Sequence, residues 1–241
     1  MDTDFIPLTM DDEFQFACSP EVPCFNQCCR DINQYLTPYD IMRLKNRLEM
    51  TSGRFLNEFT VEHIGPQTGL PIVSLKALPR EDLRCPFVSE EGCQVYEDRP
   101  ASCRTYPLAR AVSLSRDTGQ LVENYALMQE PHCKGFGQQR VQTVREWIHD
   151  QEIAEYNRFN DMLMRIISLK NQTKRSPLDL REQRLFRLAL YDLDAFRDHL
   201  TAQRLPDGLC PGKTGWQALL ENELELLAFG HRWLEGMLFD Q

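Results

Sequence analysis

The sequence predicts a mainly α protein with small β elements, in which a loop-rich cysteine module over residues 1–137 packs with a helical part over residues 138–241. Two observations carry that expectation. Eleven of the fourteen prolines and eight of the nine cysteines fall within residues 1–137. Beyond Gly137 the chain turns to Leu, Arg and Glu with apolar residues at helical spacing, and no Gly/Ser/Pro linker divides the two parts.

In chain order, Thr37-Pro38-Tyr39-Asp40 supplies an N-cap, a proline at the first helical position and an acid three residues after the cap. This predicts a helix over 38–50. Ser52-Gly53 is expected to cap a second short helix, RFLNEF. Residues 71–75 (PIVSL) and 85–88 read as short strands, and LARAVSL and LVENYAL flank Arg116-Asp117-Thr118-Gly119 as a hairpin. Val141, Val144, Ile148, Phe159, Leu163, Ile166 and Ile167 share one face of an amphipathic helix. Ser176-Pro177 opens a further segment with Leu180, Leu185, Leu188, Ala189, Phe196 and Leu200 as its stripe and a break near Tyr191-Asp192. A last helix is expected over 216–237. Trp147, Trp216 and Trp233 are read as anchors of helix contacts.

A net charge of -9 argues against general nucleic-acid binding, because phosphate affinity is supplied mainly by excess Lys and Arg. The opening MDTDFIPLTMDDEF places acids where a signal peptide needs a basic n-region, and no stretch approaches the ~20 apolar residues of a membrane span. With a mean hydropathy of -0.46, the expectation is a soluble cytoplasmic chain. There thiols stay reduced, so clustered cysteines point to metal rather than to disulfides.

The cysteines run Cys18-x5-Cys24-x3-Cys28-Cys29, Cys85-x7-Cys93-x9-Cys103 and Cys133. Thiolate suits zinc and iron-sulfur clusters, four close one such centre, and eight would close two. No two cysteines are separated by two residues, which excludes the zinc-ribbon, rubredoxin-like and bacterial ferredoxin patterns. The radical-SAM triad fails because Asp31 stands where its third cysteine belongs. In an extended segment the adjacent Cys28 and Cys29 would face opposite ways and serve different metal atoms. The second set would then return from Cys85, Cys93, Cys103 and Cys133, with ligation braced across the 55 intervening residues as the other arrangement. A four-thiolate centre carries about two excess negative charges by the formal count. Arg30, Arg99 and Arg104 are placed to offset them, unless they are exposed or pair with Asp31, Glu97 and Asp98. Phe16, Phe87, Tyr96 and Tyr106 are candidates to shield a centre from water, or plain core.

Taken together, FQFACSPEVPCFNQCCRDINQYLTPYDIMRLKNRL, then CPFVSEEGCQVYEDRPASCRTYPL, then CKGFG resembles the YkgJ-type cysteine-cluster family, described as a zinc- or iron-chelating domain. The shared features are Cys28-Cys29-Arg30, Leu36-Thr37-Pro38-x-Asp40, Cys85-Pro86-Phe87, Tyr96-x-x-Arg99-Pro100-x-x-Cys103-Arg104-x-Tyr106-Pro107, and a late Cys133 before glycine. The resemblance covers residues 14–137. It implies Cys24, Cys28, Cys29, Cys85, Cys93, Cys103 and Cys133 as ligands and Cys18 as an eighth, although the gaps after Cys18 and Cys24 exceed the two residues often given for the family. Flagellin lysine N-methylases, which use S-adenosylmethionine, carry the same type of module, so a protein-lysine methyltransferase is an implied alternative. No Rossmann-like loop accompanies it: the close pair Gly135-x-Gly137 reads as backbone freedom beside a ligand cysteine.

Among the remaining candidates, His132 is a nitrogen ligand held in reserve, and His63, His149, His199 and His231 are dispersed. Cys210 reads as a free thiol. PGKTG lacks the upstream glycine of a phosphate loop, because Asp207 fills that position and Gly208 is one residue too close to Gly212. Glu146 and Glu152 read as a solvated face. The resulting expectation is a metal-binding protein holding a 4Fe-4S-type iron-sulfur centre for redox, sensing or structural work, with zinc as the alternative cofactor. A protein partner is expected.

Overall fold

The computed structural model describes residues 3–30, 33–78, 83–115, 121–173, 176–202 and 213–239. It is a loop-rich mixture of helices and short strands, as the composition suggested. Two compact units form, each from two stretches: Met1–Ile32 with Ala77–Asn157, and Asn33–Lys76 with Arg158–Gln241. The eight cysteines from Cys18 to Cys133 all lie in the first. The long gap between Cys29 and Cys85 is thereby explained, because Asn33–Lys76 belongs to the second unit and the chain returns afterwards.

In the first unit, β1 (Asp4–Leu8), β8 (Leu108–Leu114) and β9 (Leu121–Gln129) form an antiparallel sheet in the order β1-β9-β8. Ile6 and Leu108 both lie opposite Leu127, so the pleat gives these three one face. Leu108, Tyr125 and Leu127 bury against Phe14, Phe16, Val144, Trp147 and Ile153. The two hairpin strands therefore form as expected, while the turn at 116–119 lies outside the described residues. Phe14 enters this core from β2 (Glu13–Gln15), which pairs with β10 (Val141–Thr143).

The expected single helix through 141–167 is instead a strand and two helices. Thr143 accepts the Glu146 N–H at 3.2 Å while Glu146 accepts the Thr143 N–H at 2.8 Å, and this capping box starts α4 (Val144–Asp150). Glu152, at φ 51°, then breaks the path before α5 (Ile153–Thr173), which passes from the first unit into the second. Glu146 is thus a capping residue. Trp147 is an anchor as expected, its Nε1 donating to the Thr105 carbonyl at 3.0 Å.

The second unit holds a sheet of β3 (Tyr35–Leu36), β4 (Thr60–Ile64) and β5 (Pro71–Leu75) in the order β3-β5-β4. Its first helix, α1 (Pro38–Arg47), has the expected box: the Thr37 N–H reaches Asp40 at 2.7 Å and the Asp40 N–H reaches Thr37 Oγ1 at 3.4 Å. The cap of α2 (Ser52–Phe59) is Thr51, whereas Ser52 lies inside the helix and donates its hydroxyl to Asp192 at 2.8 Å. Helix α6 (Leu180–Leu190) starts after Asp179 rather than at Ser176-Pro177, and the break at Tyr191–Asp192 precedes α7 (Leu193–Ala202) as expected. The last stretch is two helices, α8 (Lys213–Glu221) and α9 (Glu223–Phe239). At Gly230 a Cβ would stand 2.2 Å from the Ala189 carbonyl oxygen, so α6 and α9 touch through backbone. Among the described residues no helix is long and apolar enough to cross a membrane.

Candidate metal centre

Four segments of the first unit carry the cysteines. The loop after Phe16 brings Cys18 and Cys24, then closes into a 3-10 turn, Gln27–Cys29. Asn26 enters that turn with φ 65° and anchors it by donating to the Ser89 carbonyl at 3.1 Å. The extended backbone expected at Cys28 and Cys29 is therefore absent. Successive side chains of such a turn stand about 120° apart rather than opposite, and the Cys29 S–H donates to the Cys28 sulfur. The opposite-faces expectation fails because a tight helical turn, unlike a strand, does not alternate its side chains.

The second segment runs through Cys85 into a hairpin of β6 (Val88–Ser89) and β7 (Gly92–Cys93). The expected strand at 85–88 begins only at Val88. Gly92 has φ 128°, a conformation that favours glycine, and a Cβ there would come 3.2 Å from the Phe25 ring. Next, α3 (Ala101–Thr105) presents Cys103 at the surface. The fourth segment is the turn around Cys133, where Ala17 donates to the Gly135 carbonyl at 3.1 Å. Gly135 is required for close approach, since its Cβ would meet the Phe16 ring at 2.5 Å, whereas Gly137 has nothing within 4 Å. The freedom read into that glycine pair thus belongs to Gly135 as missing volume.

Backbone N–H groups point at several sulfurs. Lys134 donates to Cys24 Sγ at 3.1 Å. Cys85, Cys93 and Cys133 each receive the N–H of the residue two positions on, from Phe87, Val95 and Gly135. Such bonds stabilise the thiolate. Against them, burial raises the pKa of all three. Cys18, though exposed as a residue, is pushed up to about 11, first by partial desolvation of its thiol and then by Cys28, Cys24 and Cys133. Cys29 goes up because it donates to Cys28, is desolvated, and feels Cys28, Cys85 and Cys103, while the same bond draws Cys28 down. These mutual effects mean that the thiols crowd together. A bound cation would relieve that crowding.

Arg99 answers the expected need for positive charge. It is buried over the Tyr96 ring at 3.9 Å, donates to the Tyr96 carbonyl at 2.5 Å and to Gln151, and partly opposes the rise that burial imposes on the Cys93 thiol. Arg104 is a brace instead: it donates to the Gln151 carbonyl at 2.6 Å and to the Glu97 carbonyl, and lies 4.9 Å from the centre of the Tyr156 ring. Phe16 and Phe87 are buried, Tyr106 is half-buried with its hydroxyl beside Cys133, and Tyr96 is exposed. Sequence reasoning missed Gln151, Asn26 and Glu130, the last of which acts on Cys28 and Tyr106. Glu130 stands three residues before Cys133, a weak signal, and backbone donors leave none.

His132 is partly exposed and 3.8 Å from Glu130. His231 is buried and far along the chain on α9, with its Nδ1 at 2.9 Å from the Leu227 carbonyl. Cys210, Asp207, Gly208 and Gly212 lie outside the described residues. Among the described residues no group of three or more His, Cys, Asp or Glu side chains meets the geometry of a metal site. The donor set nonetheless fits such a group by its chemistry, being soft, neighbouring and already supplied with N–H donors.

Eight thiols gathered in one unit mark the chain as a cysteine-cluster protein. The chain belongs to the CxxCxxCC family, whose description is "Putative zinc- or iron-chelating domain" and whose model matches residues 17–145. Comparison with curated proteins and with solved structures gives no match.

Proposed function

We propose that this protein binds iron-sulfur of the 4Fe-4S type, four thiolates to a centre, with Cys18, Cys24, Cys28, Cys29, Cys85, Cys93, Cys103 and Cys133 as the ligand residues, and uses it for a redox, sensing or structural role. The supporting observation is the set of N–H donors aimed at Cys24, Cys85, Cys93 and Cys133, because hydrogen bonds to sulfur stabilise thiolates and tune the potential of an iron-sulfur centre. Bound there, the group would supply electron transfer or a cross-link between chain segments. A set of eight thiolates saturates two four-ligand centres, leaving no open position for substrate or water. That argues for binding and signalling over catalysis. Cys18, Cys28 and Cys103 reach the surface, where a protein partner would gain access. The reduced thiols this requires suit the cytoplasm.

Zinc is the second reading, since the family description names it beside iron. Purification without oxygen, followed by a visible spectrum and assays of iron, sulfide and zinc, separates the two. A brown protein with iron and sulfide in similar amounts is expected. A colourless protein carrying stoichiometric zinc would replace iron-sulfur with structural zinc, and a metal-free one would remove both.

A further inference from the structure

We infer that the eight cysteines divide crosswise, Cys18, Cys24, Cys28 and Cys133 forming one ligand set and Cys29, Cys85, Cys93 and Cys103 the other. This division rests on the metal-binding reading above. It differs from division in chain order by exchanging Cys29 with Cys133.

The first set is held by contacts between the N-terminal loop and the turn at Cys133. Ala17, next to Cys18, donates to the Gly135 carbonyl at 3.1 Å, and Phe16 donates to the Arg140 carbonyl at 2.9 Å. The Lys134 N–H, adjacent to Cys133, ends on the sulfur of Cys24 at 3.1 Å. The Phe16 and Phe136 rings, 5.3 Å apart, back the same contact. Residues 17–24 are therefore fixed against residues 133–136. The thiols agree, since Cys18 feels Cys28, Cys24 and Cys133, and Cys133 feels Cys24.

The second set is held by a different seam. Cys85 donates its N–H to the Cys29 carbonyl at 2.9 Å, and the neighbouring Arg30 and Arg84 form an antiparallel bridge. Val88 donates to the Cys85 carbonyl at 3.3 Å and pairs with Cys93 across the hairpin, which places Cys85 and Cys93 together. Cys103 joins them: its charge is felt by Cys29, and Arg99 feels both Cys103 and Cys93. Cys28 stands at the junction, beside Cys29 and within reach of Cys18, Cys85 and Cys93. The hydrogen-bonded seam of the N-terminal loop holds three cysteines, Cys18, Cys24 and Cys133, so Cys28 is assigned there as the fourth. Glu130, on the Cys133 side, acts on it.

Two pairs of substitutions discriminate the arrangements, with metal per chain as the readout. In the crosswise division Cys24→Ser and Cys133→Ser empty the same centre, so the double variant keeps about the same half of the wild-type metal as either single. Cys24→Ser with Cys29→Ser empties both and keeps almost none. Division in chain order reverses the two results, and a single shared centre loses everything in every variant; either outcome overturns the inference.

Where a variant does not fold, the wild-type holoprotein answers. It is stripped stepwise with bathophenanthroline disulfonate or EDTA and pulsed with iodoacetamide. When half the metal is gone, Cys133 should be alkylated on the same molecules as Cys24, and Cys29 on the same molecules as Cys85. Co-alkylation of Cys24 with Cys29 would overturn the division. All eight thiols reacting before any chelator is added, in a protein without metal, would instead sink the metal reading beneath it.

Discussion

Gly135 and Gly137 look alike in the sequence and differ in the fold. A methyl group on Gly135 would meet the Phe16 ring at 2.5 Å and the Ala17 carbonyl oxygen at 2.9 Å, while Gly137 has open space. Gly135→Ala should therefore cost about 1–3 kcal/mol by overpacking. Gly137→Ala should stay within about 0.5 kcal/mol. Urea unfolding of the two holoproteins checks this, and equal midpoints would contradict it. The cysteines themselves were legible because thiolate chemistry is written in the residue type. The direction of Cys28 and Cys29 was not, since a 3-10 turn at Gln27–Cys29 depends on Asn26 reaching Ser89, 63 residues along the chain. His231 shows the same limit. Its place in a helix was plain, but not that burial holds its pKa down at about 4 from an ordinary 6.5. Between those values the unfolded chain binds a proton that the folded one refuses, so stability is intact above pH 6.5 and falls as pH drops towards 4. The loss is about 3 kcal/mol. Urea titrations of His231→Leu and wild type at pH 7 and pH 4 should differ by that amount in their pH dependence, and parallel curves would refute it.

At the scale of elements, turn and cap chemistry decided what apolar spacing alone misread. The box at Thr37 and Asp40 is legible in the sequence. The equivalent Thr143-x-x-Glu146 was overrun by a periodicity that continued through it, although α4 begins there and Glu152 ends the path. Spacing at 3.6 residues persists across a short interruption, so it cannot date a helix start. The side chain of Thr143 accepts from Glu146 N–H at 3.2 Å, and Thr143→Ala should destabilise the protein by about 1 kcal/mol. An unchanged thermal midpoint would show that α4 is held by Trp147 alone. Thr51, not Ser52-Gly53, caps α2 for a comparable reason: Ser52 is buried and engaged with Asp192, 140 residues away. Long-range partners of that kind are invisible in a local window.

For the whole molecule, each unit is built from two separated stretches of chain. A sequence scan finds changes of composition, whereas contacts between distant stretches decide which residues form a unit. With the eight described thiols confined to the first unit, removal of metal should loosen residues 1–32 and 77–157 selectively. Hydrogen exchange before and after chelation should show faster exchange there and little change in 33–76 and 158–241; a uniform rise would contradict the assignment. The central claim is that these cysteines are the ligands. X-ray absorption at the iron and zinc edges of anaerobically prepared protein tests it most directly. The account predicts a first shell of four sulfurs per metal at about 2.3 Å. A first shell of nitrogen and oxygen, or no bound metal at either edge, would contradict it.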